Sequence, residues 1–169
     1  GYFYDDFEPT WTSNWTATYS GNSSYTWNRT TGSTGVVGNG YDGGGYYAYA
    51  YLDQSSTIYA DYKFNTDISS WKNVKVHFYY VARLQTSQDK LELQYTTDNI
   101  TWYTVWTSSE AGQTWHDSGA DISIPDAAKY IRFHATNANG YGVAIDNVRI
   151  DYEITPTYTW TKTAGTAGT

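Results

Sequence analysis

Residues 73–82, NVKVHFYYVA, put Val74, Val76, Phe78 and Tyr80 on one side of an extended chain and Lys75, His77 and Tyr79 on the other, because successive strand side chains point to opposite faces. KLELQYT (90–96) keeps the same two-residue period, with Leu91, Leu93 and Tyr95 inward and Lys90, Glu92 and Gln94 outward. GYFYDDFE (1–8), YYAYAYL (46–52), TIYADYKF (57–64), TDNITWYTVW (97–106), KYIRFHAT (129–136) and GVAIDNVRID (142–151) complete the set. Between them lie Gly, Asn, Asp and Ser, the residues of tight turns. No segment shows a helical period. This pattern predicts an all-β, two-sheet antiparallel jelly-roll sandwich of about eight or nine strands. The polar stretch from Pro9 to Gly45 is expected to be loop with one or two short strands.

A chain of 169 residues suits one domain. We place it at residues 1–151, with a Thr-rich C-terminal extension over 152–169 that is either a donor strand or a linker. Seventeen acidic against ten basic side chains, without a Lys/Arg cluster, give a net charge of −7. A phosphate backbone would repel such a chain, which argues against a nucleic-acid partner. No apolar run approaches the roughly 20 residues of a membrane span. The start at Gly1, with no leader segment, is what a processed secreted chain would show. The absence of Cys excludes thiol and disulfide chemistry. Four Asn-X-Ser/Thr sequons, at Asn14, Asn22, Asn28 and Asn99, favour an extracellular or cell-surface location and are candidate glycosylation sites.

Several stretches look familiar in order: DDFE, a Trp-rich loop, TGSTG…GYDGGGYYAY, LELQYTTDNITWYTVW and YIRFHATNANGYGVAIDNVRI. Together they resemble MAM-type and related carbohydrate-binding jelly rolls of the concanavalin type. AIDNVRI and YTTDNITW are the most specific. The chain departs from that pattern in lacking cysteines and in carrying YDGGG in its Gly-rich loop. The resemblance implies a structural calcium ion held between the first strand, the Gly-rich loop and the last strand, by Glu8, Asp42 and Asp146 with Asp6 as a weaker ligand. Strand alternation independently puts Asp146 on the core face beside Ala144, Val148 and Ile150. A carboxylate there must find a cation, backbone N–H donors, or a partner such as Arg149 or Arg132.

Catalytic machinery is sparse. His77, His116 and His134 are scattered, no His-Glu-x-x-His occurs, and no Ser lies in a nucleophile-elbow context. We therefore expect a protein that is not an enzyme. Nineteen Tyr and eight Trp exceed what a core of this size requires. Exposed rings such as Trp11, Trp15, Trp102, Trp106 or Trp115 could stack on sugars. Tyr47, Tyr49 and Tyr51 share one face of a strand whose other face carries Tyr46, and this two-faced pattern suggests packing against copies of the same chain. In the extension, Ile154, Tyr158 and Trp160 keep strand-like spacing, as inserting anchors would. The resulting expectation is an extracellular structural subunit that forms a filament, a homo-oligomer joined head to tail by its C-terminal strand. The alternative is a carbohydrate-binding module of a secreted enzyme or adhesin, with glycans as its partners.

Overall fold

The computed structural model describes residues 1–9, 13–53, 56–109, 112–137 and 140–155. Two antiparallel sheets face each other, as the alternation predicts. The seven-stranded sheet runs β10 (Ile122–Ile124), β6 (Trp71–Arg83), β12 (Gly142–Ile154), β4 (Tyr46–Tyr51), β3 (Trp27–Thr31). Strand β1 (Tyr2–Asp5) also pairs with β12, and β9 (His116–Asp117) with β6. The five-stranded sheet runs β2 (Trp15–Tyr19), β5 (Ile58–Phe64), β11 (Tyr130–Asn137), β7 (Lys90–Thr96), β8 (Trp102–Thr107). Strands β2 and β3 are the short strands expected in the polar stretch. Neither β9 nor β10 was foreseen, because segments of two and three residues hold too few positions to display a period.

The core lies between the sheets. Ile58, Ala60, Tyr62 and Phe64 of β5 enter it from one sheet, and Val74, Val76, Phe78 and Tyr80 of β6 from the other. Each large side chain withdrawn from water in this way stabilises the fold by about 1.5–3 kcal/mol. The Tyr62 ring is stacked between Trp15, 5.4 Å away at 11°, and Trp27, 5.3 Å away at 13°. Both indole N–H groups are satisfied inside: Trp15 donates to Asp5 Oδ2 at 3.0 Å and Trp27 to the Ala60 carbonyl at 3.0 Å. Trp15, one of the expected sugar platforms, is thus a core residue.

Two features depart from simple alternation. In β12 the pairing with β6 skips between Asp146 and Arg149, and Asn147 there has φ 47°. This bulge reverses the faces. Val143 and Ile145 before it, and Val148 and Ile150 after it, all enter the main core, whereas Ala144 joins a second cluster on the opposite side. Asp146 is buried as expected, but it sits beneath the Gly-rich loop and not between the sheets.

The second feature is that cluster itself. Val36 and Val37 fold over Tyr47, Val81 and Ala144, with Tyr49 and Trp115 packed against them. Tyr47 donates its hydroxyl to the Gly32 carbonyl at 2.7 Å, Trp115 donates to Asn39 O at 2.8 Å, and Arg83 donates to Gly35 O at 2.6 Å. Tyr47 and Tyr49 on the outer face of β4 are therefore packed under the chain's own loop, which gives that part of the pattern an internal cause, whereas Tyr51 is exposed. Past the bulge, β12 continues to Ile154, opposite Trp71. Tyr152 stacks on Trp71 with centroids 3.7 Å apart at 6°, so the sheet extends three residues beyond Asp151.

Candidate functional site

The outer face of the five-stranded sheet carries polar side chains at every second position. Asp61 and Lys63 come from β5, Arg132 and His134 from β11, and Glu92 and Gln94 from β7. Register places them in rows: Asp61 opposite His134, which is opposite Glu92, and Lys63 opposite Arg132, which is opposite Gln94. Side chains so placed are close enough to bond across the strands, and they do. Asp61 accepts from Arg132 Nη1 at 3.3 Å through one oxygen and contacts His134 Nδ1 through the other. Arg132 Nε donates to Gln94 Oε1 at 2.8 Å, and Gln94 Nε2 donates to Thr104 Oγ1 at 3.2 Å. Thr104 in turn donates to Glu92 Oε2 at 2.5 Å. The result is one connected network spanning four strands.

Aromatic rings flank it. Tyr59, 43% exposed, lies against the His134 ring at 5.3 Å and 22°. At the other end the Arg132 guanidinium lies over Trp102, 4.1 Å from the ring centre. Burial pulls the Arg132 pKa down, opposed by the charges of Asp61 and Glu92. A cavity of about 200 Å³ opens here, lined by Thr16, Thr18, Asp61, Lys63, Asn99, Trp102 and Arg132. Asn99 reaches it because the β7–β8 turn is fixed: Asp98 Oδ1 accepts from the N–H groups of Ile100 at 2.9 Å and Thr101 at 2.8 Å, and Asn99 takes φ 60°. A larger cavity of about 320 Å³, bounded by Leu84–Ser87, Asp89, Lys90 and Thr107–Ser109, has no aromatic ring in its wall.

The other ring candidates are distributed differently. Trp106 is half-buried, donates its N–H to the Ser118 carbonyl at 3.2 Å and meets Phe78 and Tyr80 edge-on. Trp115 is a lid on the second cluster. Trp11 lies outside the described residues, as do Tyr158 and Trp160 of the extension. Ile154 ends β12 and is 58% exposed. Asn22, Asn28 and Asn99 are exposed, whereas Asn14 is half-buried and donates to Asp5 Oδ2 at 3.4 Å.

The carboxylates expected to hold calcium come only partly together. Asp146 accepts from the N–H of Tyr41 at 3.0 Å and of Asn147 at 2.8 Å. Its pKa is pushed up to about 7, chiefly by burial, with the nearby charges of Asp42 and Asp6 adding to the rise. Glu8 is engaged elsewhere: its Oε1 accepts from the Tyr46 N–H at 3.0 Å, and any Cβ at Gly45 would collide with it. Among the described residues, no three His, Asp or Glu side chains are grouped so as to hold a metal ion. The anticipated partners of Asp146 are taken as well, Arg132 by Asp61 and Arg149 by Asp151 at 3.0 Å. A calcium ion at Asp146, with Asp42 and Asp6 nearest to it, remains a proposal. Its chemical basis is a buried carboxylate whose neighbouring charges are also negative.

No protein-family model matches this sequence, and no curated protein matches it. Solved structures do match in fold. The K2 cleaved adhesin domain of Lys-gingipain aligns with a TM-score of 0.65 at 13% identity, over 89% of this chain and 99% of that one. The C-terminal family 22 carbohydrate-binding module of Clostridium thermocellum Xyn10B gives 0.55 at 15% identity, over 89% and 91%. TmCBM61, in complex with β-1,4-galactotriose, gives 0.52 at 14% identity, over 88% and 92%. At these identities the likeness establishes the fold alone, a two-sheet jelly roll.

Proposed function

We propose that this chain is a non-catalytic glycan-binding module of an extracellular protein, and that it holds sugar on the outer face of its five-stranded sheet. The observation that carries this reading is the connected row His134, Asp61, Arg132, Gln94, Thr104 and Glu92, flanked by Tyr59 and Trp102. Sugars present hydroxyl groups around a ring with apolar faces. Recognition therefore calls for donors and acceptors already held in position, beside aromatic carbon. A network fixed by its own cross-strand bonds loses little side-chain freedom on binding, which favours affinity. The fold neighbours add support, since one is in complex with β-1,4-galactotriose and another has a cleft whose amino acids act in ligand binding. The gingipain adhesin domain is consistent with a surface location. No membrane-spanning helix occurs among the described residues. Of the features that suggested a filament, Tyr47 and Tyr49 of β4 pack under the chain's own loop, and the extension past residue 155 lies outside the described residues.

The test is a glycan array probed with the purified chain and with the variants Asp61→Ala and Trp102→Ala. Binding to a defined set of glycans, lost in both variants and kept in Tyr2→Ala on the opposite sheet, is the expected result. Equal binding by all forms would overturn the site, and no binding to any glycan would overturn the function.

A further inference from the structure

On this polar face the Lys63 ammonium has no anionic counterpart among the described residues. Asp61 is shared between Arg132 and His134, and Glu92 accepts from Thr104. Among the described residues, Lys63 donates to the Asn99 Oδ1 at 3.4 Å and lies over the Tyr130 ring, whose centre is 4.5 Å from Nζ. Among the described residues no carboxylate lies within 4.0 Å of that ammonium. The cavity wall thus carries two cations, Lys63 and Arg132, against a single carboxylate, Asp61. This local excess is positive in a chain whose net charge is −7.

From this we infer that the site is built for an anionic saccharide, one carrying a uronate carboxylate or a sulfate ester, with Lys63 as the residue that selects it. The inference rests on the glycan-binding reading above. An ammonium over an aromatic ring is a cation–π pair, and it keeps donors free for a ligand oxygen. Asn99, held at the cavity by the Asp98 turn, supplies an amide beside it, and Thr16 and Thr18, the cross-strand neighbours of Lys63 and Asp61, also line the cavity. The surrounding acidic surface repels anions at long range, so selection must come from short-range contact inside the cavity. A charge-assisted bond made there is stronger than a neutral one. Exposure of the cavity to solvent makes the bond sensitive to salt.

A glycan array of matched pairs tests this, each pair consisting of an acidic oligosaccharide and its neutral counterpart: uronate with its methyl ester, sulfated with unsulfated. The wild-type chain should prefer the anionic member by about tenfold, the margin of a hydrogen bond to a charged group. The preference should shrink at high salt. In Lys63→Gln the ratio within each pair should fall to near one, and in Lys63→Arg it should return. Uronate and sulfate pairs report separately, so the array identifies which anion is read. Equal binding of both members by the wild type would overturn the inference and leave the glycan reading standing. A preference that survives in Lys63→Gln would overturn the role of Lys63. No binding to any glycan would overturn the function itself.

Discussion

Arg132 lies over Trp102, its guanidinium carbon 4.1 Å from the ring centre, while its Nε and Nη1 are bonded to Gln94 and Asp61. An edge-strand tryptophan is thereby tied to the central strand of its sheet through a cation. Trp102 contributes little to the core, and the contact itself is worth about 0.5–1 kcal/mol at a partly exposed position. Trp102→Ala should therefore leave the urea-unfolding midpoint nearly unchanged while weakening glycan binding by about tenfold or more, as loss of a stacking aromatic does at a recognition site. Calorimetric titration alongside denaturation would separate the two effects.

Trp15 should behave in the opposite way. Its ring is buried against Tyr62 and Phe64 and its N–H is bonded to Asp5. Trp15→Ala opens a cavity and leaves a buried carboxylate with one donor fewer, so a loss of about 3–5 kcal/mol is expected. Urea unfolding followed by tryptophan fluorescence measures it.

Asp61 contacts two neighbours, Arg132 and His134. Asp61→Ala leaves the Arg132 guanidinium, with 17% of its side chain exposed, without its carboxylate. A cost of about 1–3 kcal/mol follows from an unpaired, largely buried polar group. The double variant Asp61→Ala, Arg132→Met should recover part of that loss, because removing both partners restores the balance. Chemical denaturation of the single and double variants gives the comparison.

Asp146 sets a pH dependence with a definite sign. Its folded pKa of about 7 lies above the ordinary 3.8, so burial penalises the ionised form. Well below pH 3.8 both states are protonated and the penalty is absent. As pH rises from 3.8 toward 7, the unfolded chain loses its proton first and stability falls, and above 7 the penalty is constant. Asp146→Asn should remove this slope, seen as a smaller difference in unfolding midpoint between pH 5 and pH 8. A calcium ion at this carboxylate would reverse the penalty. Added calcium should then raise the melting temperature of the wild type at pH 8 and leave Asp146→Asn unmoved; the absence of any shift in the wild type would sink the calcium proposal.

The period-two runs of β5, β6, β7 and β11 made the sandwich legible in the sequence. One face of each strand had to leave water, and only two packed sheets satisfy several such strands together. The same alternation correctly placed Glu92 and Gln94 on the outer face of β7. Local pattern could not show that Asp61, His134 and Glu92 share a row, nor that Lys63, Arg132 and Gln94 share another. Those rows depend on which strands become neighbours, and β5, β11 and β7 are far apart in the chain. Nor could it show the bulge at Asn147, where one residue reverses the faces of β12 and carries Asp146 away from the main core. Tryptophan content likewise did not distinguish Trp15, inside the core, from Trp102, over the cavity, since both occur in strands rich in Thr and Tyr. Alternation is a property of a single strand and is written in its residues. The charge balance around Lys63 and the covering of Tyr47 arise only when distant segments meet, and the tertiary structure decided them.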